Sequence, residues 1–486
     1  MTGRSLLLLA FLGLMLSPAA LAGQGVRGNA RTYVSYLQVR DLVLDSVPTA
    51  AVPGEGSQRV LADGTRVTCS DDFCRYYRSG DAVGVAPLIQ DLQLNAWTGI
   101  EGLSAAAHLR ARQPLDDGEL WPRSDQTFEA LSAYLEYRRS FYQVRAGRLW
   151  QTTALGFYNF DGGSLNLRGP KQINLSIYGG LSLVRGLNQY HTTDLISDVE
   201  PLPPEEKAKL LGIHARWNPL PTLATAVTYQ REIASDAGDL YSERIAGSAR
   251  VLVGKAAVDL ELKYDLASES TNLARVRVGA PLVAGLRGSA EFKKYLPYFD
   301  LWTIWGAFSP VGYQEGRARL DWTAPDGRFS LRGYGSYRKY GDTETSSSEL
   351  VDIDDESWRL AGGGRYTLRK NTTIDAEYRY DTGFGASRSG GDVSIQRFFE
   401  EGRFLALRGT AFESFSEFTV GSGTVLGAGI QGGMPIGPAK AQINAMFYKH
   451  KQNDRPSRMD LNQARINLIL EIPIGSDPGM AGRGTP

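Results

Sequence analysis

The chain has 486 residues, and its 53 basic and 53 acidic side chains leave a formal net charge of zero. Without basic blocks, that balance speaks against a nucleic-acid partner. Glycine (55) and tyrosine (23) are abundant while methionine (6) and histidine (4) are scarce. This composition suits short strands and turns, and no apolar run after residue 22 nears the ~18 residues of a membrane helix.

At the N-terminus, Arg4 precedes an apolar run from Leu6 to Leu16, then Ser17-Pro18 and Ala20-Leu21-Ala22. A basic residue, a short apolar core and a small-x-small end predict a signal peptide over 1–22, with Sec-type export. Cys69 and Cys74 are the two cysteines. In an exported chain a close pair predicts a local disulfide. Half of a metal site is the alternative, but no further Cys or His stands nearby to complete four ligands.

The dominant pattern is alternation. Val258-Asp259-Leu260-Glu261-Leu262-Lys263-Tyr264-Asp265 sets apolar residues against charged ones, as does Ile374-Asp375-Ala376-Glu377-Tyr378-Arg379-Tyr380. A period of two puts these classes on opposite faces of a sheet. Aromatic residues such as Tyr137, Trp217, Trp322 and Tyr366 recur at strand ends, where membrane interfaces place them. Tight links fall near Gly254, Pro281, 324–327, 400–402 and 435–438 and alternate with longer ones, including 45–85, 113–126, 153–161, 185–209 and 296–313. Short periplasmic turns facing longer extracellular loops have that parity. The prediction is an all-β fold, a transmembrane antiparallel up-and-down β-barrel of about 20–22 strands. It occupies 23–475, with 45–85 as a long first extracellular loop carrying the Cys69–Cys74 disulfide and 476–486 as a periplasmic tail.

These features resemble the porin-like outer-membrane β-barrels of Gram-negative bacteria as a class. The resemblance covers the mature chain and rests on architecture, without a family-specific motif. The chain departs from the class at its end, where the last strand meets Pro473 and the sequence continues to Pro486 rather than closing on an aromatic residue. No separate plug domain fits ahead of Val85 either.

With apolar positions toward lipid, the other face lines a lumen. The residues assigned to it are Arg145, Arg275, Arg277, Arg317, Arg319, Arg332 and Arg365, then Asp259, Glu261, Lys263, Asp375, Glu377 and Arg379. Arg408 and Arg465 share that phase. Basic groups outnumber acidic ones, which implies a lean toward anions unless cross-strand ion pairs absorb them. Phe299, Trp302, Trp305 and Phe308 crowd the 296–313 link, as a constriction, a binding platform, or an unrecognised strand pair turning at Pro310. Phe157 and Tyr158 are candidates for a second inward fold.

No Gly-x-Ser-x-Gly accompanies His108, His191, His214 or His450. The chain therefore reads as a non-enzyme without a cofactor or metal. The expectation is an outer-membrane channel, set in outer-membrane lipid, for small polar solutes. Two alternatives stand: a barrel sheathing a periplasmic multihaem cytochrome in an electron conduit, and a soluble exported β-rich binding protein.

Overall fold

The structure is a computed structural model. It describes residues 25–62, 65–97, 99–115, 127–183, 208–234, 238, 240–297, 312–341, 355–383, 386–416, 423–452 and 462–475. The expected signal peptide and the periplasmic tail lie outside the described residues.

Alternating sequences fold as read, into twenty-five strands of one sheet. The first are β1 (Gly25–Pro48), β2 (Gln58–Val60), β3 (Arg66–Ser70), β4 (Phe73–Val85), β5 (Pro87–Trp97), β6 (Leu103–Pro114), β7 (Phe128–Arg138) and β8 (Tyr142–Thr153). Then come β9 (Gly156–Arg168), β10 (Ile173–Ser182), β11 (Ala208–Leu220), β12 (Leu223–Ala234), β13 (Leu240–Val253), β14 (Ala256–Asp265), β15 (Ser270–Val283), β16 (Leu286–Tyr295) and β17 (Tyr313–Thr323). The last are β18 (Phe329–Tyr340), β19 (Glu356–Arg369), β20 (Thr372–Gly383), β21 (Ala386–Phe398), β22 (Phe404–Ser416), β23 (Gly423–Ile436), β24 (Ala439–Gln452) and β25 (Gln463–Ile474).

Successive strands pair antiparallel, and β1 closes the ring. On one side β1 pairs with β25, from Gly28↔Ile474 to Leu37↔Arg465. On the other it pairs with β5 and, further up, with β4. β4 and β5 are thus two halves of one stave, and β2 with β3 is a hairpin outside the wall. The result is a closed antiparallel up-and-down barrel of 22 strands. Arg31 and Asn29 both reach Glu471, at 2.9 and 2.8 Å, and fasten first strand to last.

The strand termini Gly25 and Ile474 sit at one end, and there every link is short. Gly254, Gly285 and Gly437 take φ of 60°, 77° and 57° in these turns, a left-handed region that favours glycine. The turn expected at Pro281 falls instead at 284–285. Pro281 stays inside β15, beside a register irregularity between Pro281 and Val283 that accommodates its missing N–H.

The other end corrects two boundaries. The first long link spans 49–72 rather than 45–85, because β1 and β4 run paired out to Pro48↔Phe73. The Cys69–Cys74 disulfide ties its β2–β3 hairpin to β4, with a small cluster of Val52 and Val67 around the two sulfurs. The link expected over 153–161 is a two-residue turn. Gly156, at φ 135°, allows the chain to reverse at once into β9. β14 and β15 are likewise joined by only 266–269, where the Asp265 carboxylate accepts from the N–H groups of Ala267 and Ser268.

The apolar rows stay at the surface. Leu260, Leu262, Val276, Val278, Leu320 and Leu331 are each 41–52% exposed. A water-soluble β-protein turns such rows into its core, so the soluble alternative does not fit this surface. Aromatic pairs flank the rows, Trp322–Phe329 and Phe329–Tyr366 toward the short turns, Tyr337–Trp358 and Trp150–Phe157 toward the other end. No helix among the described residues is long and apolar enough to cross a membrane.

A charge placed in an apolar row tests this orientation. Leu260→Arg is expected to destabilise the barrel by about 2–4 kcal/mol, as for a lipid-facing cation near the bilayer midplane. Urea titration of vesicle-folded protein measures it, and an unchanged midpoint would mean that the row does not face acyl chains.

Candidate functional site: the charged concave face

Side-chain bonds that pass over one or more strands identify the concave face. Arg244 of β13 donates to the Tyr158 hydroxyl of β9. Tyr178 of β10 donates to Gln230 of β12 at 2.9 Å, and Ser182 to Glu232 at 3.0 Å. Arg332 of β18 reaches past β19 to β20. Only on the inside of a curved wall do strands that are not neighbours approach in this way. These residues have the opposite phase from the exposed leucines, so the charged rows point inward.

From β13 to β20 most inward charges are paired. Glu261 holds Arg275 and, at 3.2 Å, Lys263, and Asp259 lies 3.6 Å from Arg250. Arg319 grips Asp321 with two bonds of 2.7 Å. Arg332 spans Asp375 at 2.8 Å and Glu377 at 2.9 Å, while Arg365 and Arg379 add contacts to the same two carboxylates at 3.1 and 2.8 Å. Register explains the reach of Arg332. It stands opposite Gly363, which stands opposite Glu377. A Cβ on Gly363 would lie 3.3 Å from the Arg332 Nε and 2.8 Å from the Ala376 carbonyl oxygen, so glycine keeps the crossing open.

Glu315 is the most enclosed of these groups, at 1% side-chain exposure. Lys293, Arg317 and Arg338 surround it at 2.8, 2.9 and 3.2 Å. Tyr313 lies against Lys293 and Arg338, 5.0 and 4.7 Å from its ring centre, so the aromatic face shares the surplus positive charge.

Among the lumen residues named from sequence, Arg145 pairs with Glu136 at 2.8 Å on β7 and β8. Arg277 stands in register with Asp259 and Glu291 without an ion pair among the described residues. Phe157 and Tyr158 fall on opposite faces. Phe157 stacks on exposed Trp150, whereas Tyr158 is 5% exposed and sits inside. Phe299, Trp302, Trp305 and Phe308 lie outside the described residues.

One interior feature extends well beyond the inward fold expected at Tyr158. Leu149, Leu155, Tyr158, Phe160, Tyr178, Leu210 and Ala246 form a buried cluster on the concave side of β8–β13. Phe160 stacks on Tyr178 at 5.7 Å, and Arg244 is buried against Tyr158. The available signal was the apolar content of Tyr158 and Phe160 at inward positions of β9, where a wet wall carries polar residues. His108 is 3.8 Å from Asp91, but Arg110 already holds that carboxylate at 2.6 Å. No metal-binding group of His, Cys, Asp and Glu forms among the described residues.

No protein-family profile matches the chain, and no curated protein matches it. Among solved structures it is similar to a BenF-like porin from Pseudomonas fluorescens Pf-5, at 10% identity over 93% of this chain and 99% of that one, with TM-score 0.43. It is similar to the outer membrane protein opdK from Pseudomonas aeruginosa at 10% identity, 93% and 99% coverage and TM-score 0.41. OccAB4 from Acinetobacter baumannii gives 10%, 95% and 100%, and 0.39. At such scores these likenesses carry no argument about function, which rests on the barrel's own geometry.

Glu315→Gln is expected to cost about 3 kcal/mol, since it strands three cations around a buried carboxylate site. Asp321→Asn, at an exposed pair, is expected to cost less than about 1 kcal/mol. Unfolding midpoints in vesicles measure both, and equal effects would contradict the enclosed setting of Glu315.

Proposed function

We propose that the chain is an outer-membrane, porin-like channel that passes small polar solutes along its charged interior, with a lean toward anions. One observation carries this reading: a closed 22-strand wall is apolar on its exposed face and charged on its concave face. Such a wall satisfies its backbone hydrogen bonds without water and separates lipid from a polar interior. The thirteen inward charges named from sequence are then the pore lining. Most of them hold one another by ion pairs, which keeps the wall polar while muting its field. The anion lean belongs to cations such as Arg277 that no carboxylate neutralises.

A 22-strand bore is wide, and wide barrels of this size enclose a plug in the transporter class. Here the inward cluster on β8–β13 narrows the interior from the wall itself. That cluster also occupies room that a sheathed cytochrome would need, so no observation favours the conduit alternative.

Purified protein in planar bilayers tests the reading. Stepwise conductance in potassium chloride is expected, with a reversal potential in a salt gradient of the sign given by chloride moving faster than potassium. A heat-modifiable, correctly folded barrel that never conducts would overturn the channel. A reversal potential of the opposite sign would remove the anion lean alone.

A further inference from the structure

The wall formed by β20–β25 differs from the paired wall beside it. A cavity of about 980 Å³ opens there on the concave side, and Arg388, Arg408 and Arg465 all line it. Among the described residues none of the three makes an ion pair. Two of them are held by other means. The Arg388 guanidinium lies 4.0 Å over the Phe412 ring centre, and Arg465 lies 5.5 Å from that of Tyr448 and donates to Gln463 at 2.6 Å. Stacking on a ring positions a guanidinium without neutralising it, and its in-plane N–H edges stay available.

Register brings two of these cations into one row. Arg408 stands opposite Gly429, Gly429 opposite Met446, and Met446 opposite Arg465. Three strand spacings set the two anchors about 14 Å apart at the wall, a gap that two long side chains narrow. In the neighbouring row the Tyr448 ring and the Thr410 methyl pack over Gly427, where a Cβ would meet them at 2.9 and 2.5 Å. Between the two cations the Met446 side chain lies over Gly429 and itself lines the cavity.

A second observation points to a ligand. Thr410 Oγ1, Asn444 Oδ1 and His450 Nδ1 are buried atoms without a hydrogen-bond partner, and all three residues line the same cavity. Buried polar atoms are nearly always satisfied, so three orphans lining one cavity point to polar occupants there, water or solute. Among the described residues the carboxylates lining it are Asp375, already held by Arg332 and Arg365, and Asp392. Three guanidiniums against Asp392 leave two positive charges in excess.

We propose that this cavity is a binding subsite for a small organic dianion, its two oxyanion groups received by Arg408 and Arg465 on either side of Met446. Forked guanidinium donors match carboxylate and phosphate oxygens, and a divalent solute cancels the excess. The subsite rests on the reading of the interior as an aqueous bore, and it gives that bore a substrate class.

Binding is measured by isothermal titration of the detergent-solubilised full-length barrel with succinate, with inorganic phosphate and with acetate. Succinate is expected to bind saturably and acetate more weakly. Arg408→Gln and Arg465→Gln are each expected to weaken succinate roughly tenfold, the loss of one charge-assisted contact, and the double variant to abolish binding. Arg403→Gln, at a turn on the short-link end, serves as the control. Neither arginine carries an ion pair, so heat-modifiable migration is expected to match the parent and reports folding separately. Absence of saturable succinate binding, undiminished binding in the double variant, or acetate binding as tightly as succinate would each overturn the subsite. Succinate binding by a barrel that never conducts would overturn the channel and leave the subsite standing.

Discussion

Backbone hydrogen bonding in a medium without water governs this molecule. Each strand must be paired on both edges, and the pairing of β1 with β25 meets that demand for the first and last strands. Once the ring is closed, a period of two assigns every side chain to one of two solvents. Leu260 meets one and Glu261 the other, one residue apart. The sorting of apolar and charged residues, the aromatic pairs and the glycine turns are consequences of that closure.

Inside, the charges divide into two regimes. Along β13–β20 they are arranged to cancel, with Glu315, Asp321, Asp375 and Glu377 each meeting at least one cation. Along β21–β25, arginines are steadied by Phe412 and Tyr448 in place of carboxylates. The first arrangement gives rigidity with little net field. The second leaves a local positive potential in a confined space, where low-dielectric walls strengthen it. The uneven distribution, more than the excess of basic residues among the inward positions named from sequence, shapes what a solute meets on the way through.

Much of the architecture was legible because it depends on local rules. Alternation in Val258–Asp265 and glycine at 254 and 437 are readable within a few residues, and the strand number follows from them. Failures came where distant context decides. Pro281 looked like a turn, but a ladder irregularity absorbs it and Gly285 supplies the reversal. The 153–161 stretch read as one of the longer links, yet Tyr158 and Phe160 belong to a strand whose inward apolar mass makes sense only once Tyr178 and Leu210 are seen beside them. The inward charges were identifiable one by one, yet their partners were not. Arg332 finds Asp375 and Glu377 more than forty residues away, through a gap that Gly363 leaves open. The row joining Arg408 to Arg465 is equally invisible along the chain, since it exists only in register.

The fastening of Arg31 and Asn29 to Glu471 has a kinetic meaning. These contacts join residues 440 and 442 positions apart, close to the greatest separation this chain allows. Loop-closure entropy makes such a contact slow to form, and until it forms two raw strand edges stay open to other chains. The barrel therefore cannot complete itself progressively during synthesis. Its final step joins beginning to end, and a cellular machine that shelters both edges until they meet would govern how much of the protein matures rather than aggregates.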